Sequence, residues 1–517
     1  MKLLVLFITI ALLLAVTQAE HYAFMGACKS HSRSKSWATY CLNRVFSNTM
    51  GKVATVSSNG KIKVKKSGYY RVNAWAIQHS GNEADRFARV MVSGKIVRVN
   101  RVQDTGWTTN RIEMTFYVKA GETFWVDYMA SGSNPYPWHA FSHSSFSAMF
   151  VGGHIPMLVG GCKNPDRGLK SWKNQCFDTV RSNTMKDYLS YTKAGVFTAK
   201  KDGYYKVNGW LSMQAGNHYR LVAPPQTWAT HGNSNTMNRW RHHDLNFVYQ
   251  LKKGQSFRFS YWSYRAIGAY ADEASDSRQE VQISYEGAEK RVYKGYCSGH
   301  RRGGWHVYCL DKEMFNSMGE QYMVPSNNGH LKITKAGVYN FRTQAIQHFS
   351  GHGTTHSIFY VNGKNMGQNY YLDKNWRDNI AQGYLQLKEG DDVYVKFYAN
   401  NYAFHSGPYW SHMEFSFEEA LNLMDTSGGL TKRHGKESGQ LQKLLTTIEM
   451  KLKGEMKAAE IKTREDSKIL KMKKRQFEDA TAAQDQESTD LEELKIRINS
   501  ELELIAKVKA LVKNGMN

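Results

Sequence analysis

Three histidines at four-residue steps, His348, His352 and His356, are the residues of this 517-residue chain whose type and spacing best suit chemistry. Neutral imidazoles bind zinc, and steps of four would stack them on one face of a helix. Two features weaken that reading. Gly351 and Gly353 lie between them, and no Glu stands there to act as a general base. Metal binding is therefore a candidate and metal-assisted hydrolysis is not. The paired acids Asp391-Asp392 and Asp272-Glu273 sit among turn residues, where solvation is their ordinary role. No nucleophile elbow, phosphate loop or dinucleotide fingerprint appears. The expectation is a protein that is not an enzyme and carries no cofactor.

Six cysteines form the second set: Cys28 and Cys41, Cys162 and Cys176, Cys297 and Cys309. Each second cysteine has a tryptophan four residues before it, at Trp37, Trp172 and Trp305. Six cysteines allow 15 pairings in principle. Two per repeat make one short bridge per repeat the simplest arrangement. Free thiols and a metal pair remain alternatives, although a zinc site needs about four ligands and each spacing supplies two.

The repeat itself is legible elsewhere. Gly68-Tyr69-Tyr70-Arg71-Val72-Asn73-Ala74-Trp75 returns as Gly203-Tyr204-Tyr205-Lys206-Val207-Asn208-Gly209-Trp210, and more loosely as Gly337-Val338-Tyr339-Asn340-Phe341. Ser47-Asn48-Thr49-Met50 returns as Ser182-Asn183-Thr184-Met185, with Asn316-Ser317-Met318 in third place. His348 has His79 at its matching position in the first copy and Gln214 in the second. A lag of roughly 134 residues makes each unit long enough to be a domain. Within a unit, Lys61-Ile62-Lys63-Val64-Lys65 and Val393-Tyr394-Val395-Lys396-Phe397-Tyr398 alternate wet and apolar residues, the period of a strand with one buried face. Gly-containing turns separate such runs. The fold class expected is all-β: three tandem sandwiches or jelly rolls, followed by a C-terminal α-helical segment.

The ordered series of motifs resembles the globular head of the complement C1q family, related to the tumour-necrosis-factor jelly roll. The residues that carry the resemblance are Phe46 and Asn48, then Gly68-Tyr69-Tyr70, the Val92-Ser93-Gly94 and Val361-Asn362-Gly363 turns, the runs from Gly121, Gly254 and Gly390, and the closing Ser145-Phe146-Ser147-Ala148-Met149-Phe150. Three things depart from the family pattern: the Trp-x-x-x-Cys segments, the missing collagen stalk, and a helical segment that follows the heads where the family's oligomerising stalk precedes them. The resemblance implies ligand or pattern recognition, lectin-like or immune, with calcium as a candidate ion, although no dense Asp/Asn ligand loop is visible. It also implies heads packed around a threefold axis. Because this chain holds three heads, that packing becomes an intrachain pseudo-trimer, with beads on a string as the alternative.

The flanks differ from the repeats. Residues 1–19 pair Lys2 with an apolar run from Leu3 to Val16 and end Thr17-Gln18-Ala19, the pattern of a cleaved signal peptide and thus of a secreted protein. The domains expected are 20–153, 154–287 and 288–420, a linker over 421–439, and a helical segment over 440–517. Leu441, Leu445, Ile448, Leu452 and Met456 set one apolar face there, suited to association between chains, with a self-folded hairpin as the alternative.

Charge completes the reading. The chain carries +24, and Thr426–Asn517 holds 19 Lys/Arg against 15 Asp/Glu, a net +4, which leaves +20 on residues 1–425. Arg86, Arg89, Arg98, Arg101, Arg239 and Arg241 are the candidate ligand-binding cluster, aimed at extracellular polyanions or glycans rather than nucleic acid. The alternative function is a structural component of matrix, mucus or cement. Aromatics at 13% exclude wholesale disorder, and no second apolar run is long enough to span a bilayer.

Overall fold

A computed structural model describes residues 22–418, except 31, 134, 139–143, 163–170, 215–216, 224–225, 234–239, 264–278 and 408–410. The expected signal peptide, linker and C-terminal helix lie outside the described residues. The described chain is almost wholly β. No helix among these residues is long and apolar enough to cross a membrane. Contacts divide the chain into Met1–Met424 and Asp425–Asn517, and every described strand belongs to the first unit.

The same strand order occurs three times. In the first repeat, one layer runs Arg44–Asn48, Tyr22–Ala27, Ser144–Gly152 and then the first half of Gly68–Val92. The second half of Gly68–Val92 continues into the other layer, beside Thr123–Ala130, Ile62–Val64 and Ala54–Val56. Lys95–Val118 runs antiparallel along the whole of it. In the second repeat the layers are separate sheets. One runs Thr179–Asn183, Met157–Gly161, Gln279–Gly287, Gly203–Gln214, Trp240–Leu251. The other runs Leu189–Tyr191, Val196–Ala199, Ser256–Ser263, Asn217–Ala223, Gln226–Asn233. The third repeat follows the first, with Gly337–Val361 and Lys364–Leu387 as its long hairpin. This is the two-layered antiparallel order of a jelly roll.

The repeated sequence words have repeated physical jobs. The tyrosine that closes each Gly-x-Tyr motif is buried, and its hydroxyl lies within hydrogen-bond reach of two carbonyls. Tyr70 reaches Val53 and Lys66, Tyr205 reaches Tyr188 and Lys201, and Tyr339 reaches Tyr322 and Lys335, all at 2.7–3.1 Å. The Asn of each Ser-Asn-Thr-Met word accepts a bond from the amide two residues on, from Met50, Met185 and Met318. That turn seats each methionine in the core of its sandwich. Gly60, Gly195 and Gly329 share a positive φ, and a Cβ there would strike the carbonyl of Tyr40, Gln175 or Tyr308. Alternation behaves as the sequence predicts: Ile62 and Val64 are buried with Lys63 exposed between them. Each sandwich has its own apolar core.

Candidate functional site at the junction of three sandwiches

Residues 70–78 of strand Gly68–Val92 are buried on both faces. Tyr70, Val72 and Ala74 fill the first sandwich's core. Arg71, Asn73 and Trp75 point the other way, yet each is at most 1% exposed. What covers them is the other two repeats. Trp75 and Met25 join the third sandwich's core cluster. Gly367 lets that strand come close: a Cβ there would lie 2.9 Å from the Trp75 ring. Gln382 donates to Asn73 Oδ1 at 2.8 Å. An apolar patch of Ala23, Met149, Ile155, Met157, Val338 and Tyr384 draws residues from all three repeats.

The first and second sandwiches meet through polar pairs. Gln282 accepts from the Thr115 amide at 2.8 Å and donates to its carbonyl at 2.6 Å. Asn208 donates to the Glu113 carbonyl at 3.2 Å. The Arg98 guanidinium lies 3.4 Å from the centre of the Trp210 ring. The second and third meet where Glu414 accepts from the Val248 amide at 3.3 Å and Phe247 packs on His412. A cavity of about 10 Å³, room for about one water, is lined by Glu113, Thr115, Lys206, Asn208, Gln282 and Ser284.

At the centre lies a buried ionic cluster. Arg71 pairs with Glu286 at 2.7 Å and with Glu418 at 3.6 Å. Lys290 pairs with Glu286 at 3.2 Å and Glu418 at 3.1 Å, and Lys206 pairs with Glu113 at 3.2 Å. Three cations thus face three carboxylates. Register shows why they converge. Arg71, Lys206 and Asn340 follow the same Gly-x-Tyr word in the three repeats. Tyr285 and Phe417 occupy equivalent closing-strand positions, and Glu286 and Glu418 are the residues that follow them.

Burial opposes the charge on Glu286, but Arg71, Lys290 and Lys206 hold its carboxyl well below the usual range. Burial likewise opposes ionisation of Glu418, and Lys290 and Arg71 outweigh it. Burial and the neighbouring Arg71 lower the Lys206 pKa, with Glu113 opposing them. Arg71 is driven above its ordinary value because Glu286, Tyr384 and Glu418 outweigh its desolvation. Isolated charges this deep would cost several kcal/mol each, so the cluster holds only as a whole.

The residues singled out from sequence fall elsewhere. Arg86 is 0% and Arg98 1% exposed, so neither presents its charge on the surface. Arg89 pairs with Asp127 at 2.9 Å and Arg101 with Asp85 at 2.6 Å. Arg239 and the side chain of Arg241 lie outside the described residues. His348, His352 and His356 lie on strand Gly337–Val361, not on a helix, which corrects the helical premise of the zinc reading. His348 aligns with Tyr402 and His356 with Tyr398, on either side of an irregularity in the strand register. His356 packs instead on Trp305 and Tyr398. The side chains of His348 and His352 lie outside the described residues. Asp392 pairs with His330 at 2.8 Å, and Asp391 accepts from Asn362 and the Lys388 amide.

The cysteines are joined as Cys28–Cys41, Cys162–Cys176 and Cys297–Cys309, with Cα separations of 4.9, 5.1 and 5.0 Å. Asp178 and Asp311 lie beside two of the pairs, but sulfurs held in disulfides are not metal ligands. Each bridge anchors an added strand on its sandwich, with the tryptophan at its edge. Arg71 and its partners were not singled out from sequence. The available signal was a strand whose outward positions, Arg71, Asn73 and Trp75, combine a charge, an amide and a large aromatic.

No family model matches the chain, and no curated protein matches it. Among solved structures, murine APRIL at pH 5.0 is similar over 25% of this chain and 99% of its own, at 14% identity and a TM-score of 0.22. The globular domain of zebrafish complement 1qA is similar over 25% of this chain and 94% of its own, at 17% identity and a TM-score of 0.19.

Proposed function

We propose that the chain is a secreted, non-enzymatic recognition protein whose three heads, 20–153, 154–287 and 288–420, form an intrachain pseudo-trimer. The observation that carries the reading is the closure of three sandwiches around one buried network. That closure fixes three outward faces in a single rigid array. Weak contacts on separate faces then add through effective concentration. The helical segment over 440–517 would join such arrays between chains.

The ligand class this reading names is an extracellular polyanion or glycan. The positive charge of residues 1–425 supports it, reduced by the arginines that the junction and the local ion pairs consume. The test is binding of the secreted chain to heparin and to a glycan array at 20 to 500 mM salt. Saturable binding that weakens as salt rises is expected. No binding at low salt overturns the reading, and insoluble self-association without glycan binding favours the structural role.

A further inference from the structure

The three Trp-x-x-x-Cys edges occupy the same place in their sandwiches but carry different charge. Ala38 and Thr39 align with Tyr128 and Asp127, Lys173 and Asn174 align with Tyr261 and Ser260, and His306 and Val307 align with Phe397 and Lys396. Trp37, Trp172 and Trp305 are therefore equivalent, and so are Asp127, Ser260 and Lys396. The residue facing that last position is Arg89 in the first sandwich, Arg220 in the second and Ile358 in the third.

In the first sandwich the edge is neutralised from within. Arg89 lies 4.0 Å from the Trp37 ring centre and pairs with Asp127 at 2.9 Å, and Thr39 donates to the same carboxylate. In the second, Arg220 lies 3.6 Å from the centre of the Trp172 ring, but Ser260 stands where the carboxylate would be. Ser260 bonds Asn174 instead. Arg220 Nε is buried and has no hydrogen-bond partner among the described residues. Arg258, two positions from Ser260 on the same face and exposed, adds a second positive charge. Burial and Arg258 both lower the Arg220 pKa, the response of a cation that lacks a counter-charge. Trp172 is partly exposed, at 39%, as is Trp305 at 46%. In the third sandwich Ile358 replaces the arginine, and Trp305 packs on His356 and Tyr398.

We propose that the outer edge of the second sandwich is a binding site for an anionic saccharide, with a sugar ring on Trp172 and its sulfate or carboxylate between Arg220 and Arg258. The inference deepens the recognition reading and rests on it. An indole presents an electron-rich face to the C–H edge of a sugar ring. A part-exposed guanidinium offers charge-assisted N–H bonds to a planar or tetrahedral anion. The second positive charge favours an anion over a neutral hydroxyl, and the aromatic wall favours a sugar over free phosphate.

The test is calorimetric binding of the full secreted chain to three probes: a heparin-derived sulfated oligosaccharide, a polyuronate oligosaccharide, and the desulfated, reduced-charge counterpart. Variants are Trp172→Ala, Arg258→Gln and Ser260→Asp, with Trp305→Ala as the control and thermal unfolding to verify the fold. Tenfold or greater loss for Trp172→Ala and Arg258→Gln is expected with at least one charged probe, with Trp305→Ala unchanged. Ser260→Asp supplies the second sandwich with the first one's own counter-ion and is expected to abolish that binding. The charged probe that shows the loss identifies sulfate or carboxylate as the ligand group. Should Ser260→Asp fail to fold, the exposed Trp172 and Arg258 substitutions still decide. Charged probes that bind the wild type and every variant alike overturn this site and leave the recognition reading standing. Equal affinity for the uncharged probe overturns the anionic part, and no binding by the wild type overturns both.

Discussion

Arg98 over Trp210 and Arg220 over Trp172 are the same pairing of guanidinium and indole in opposite surroundings. The first pair joins two sandwiches, and both residues are buried. The second belongs to one sandwich and stands at its edge. The difference is one of neighbours. At the junction, basic residues are enclosed by amides, carbonyls and carboxylates of another repeat, and their charge is used up in assembly. At the second sandwich's edge the position of the counter-charge holds a serine, and no carboxylate pairs with Arg220 among the described residues. A basic composition therefore divides into an internal share and an external share, and only the second bears on binding.

The largest expected effect breaks the internal share. Arg71→Ala leaves Glu286 and Glu418 short of a partner and should cost about 3–5 kcal/mol in denaturant unfolding. Glu286→Gln combined with it should recover part of the loss, and no recovery would show that the two residues do not act as a pair. The two tryptophans give the sharpest contrast. Trp210→Ala should destabilise by about 3–5 kcal/mol through the cavity it leaves. Trp172→Ala should change stability by less than about 1 kcal/mol, as exposed substitutions do. Equal effects would erase the distinction between the two sites.

Replacing Cys162 and Cys176 by Ser should remove roughly 3 kcal/mol by the loop-entropy estimate. It should also loosen the strand that holds Trp172, so glycan affinity falls with stability. Acid attacks the junction more gradually. Glu286 and Glu418 have folded pKa values below the ordinary carboxylate value near 4.5. Their contribution is thus complete above that value and lost as pH falls below it. The melting temperature should fall progressively as pH drops below about 4.5, and Glu286→Gln should flatten that fall. The smallest effect is at the neutralised edge: Arg89→Ala should cost no more than about 1 kcal/mol, the worth of a partly exposed pair.

Much of the scaffold was legible because its signals are local. Lys61 to Lys65 announces a strand by alternation alone, and the Ser-Asn-Thr-Met word carries its own turn. The junction was not legible, because its pairs span repeats: Arg71 and Glu286 lie 215 residues apart. No local pattern distinguishes an arginine bound for such a partner from one bound for solvent, and Arg86 and Arg98, ligand-binding candidates by sequence, are buried. The histidine triplet misled in a different way. Steps of four set neighbours on one face of a helix about 6 Å apart, but the segment is a strand, where regular steps of four lie about 13 Å apart. The recurring tryptophans were visible in sequence, yet their meaning depends on Arg220 and Ser260, which only strand register brings beside Trp172.

Three sandwiches on one polypeptide also escape two constraints that bind separate subunits. Dilution pulls apart an assembly whose members meet by collision, but here the members share a chain and their proportion is fixed at synthesis. A substitution in one subunit of a symmetric trimer appears at all three faces at once. In this chain Asp127, Ser260 and Lys396 vary one at a time, so a single molecule can offer three dissimilar surfaces without a mixture of gene products.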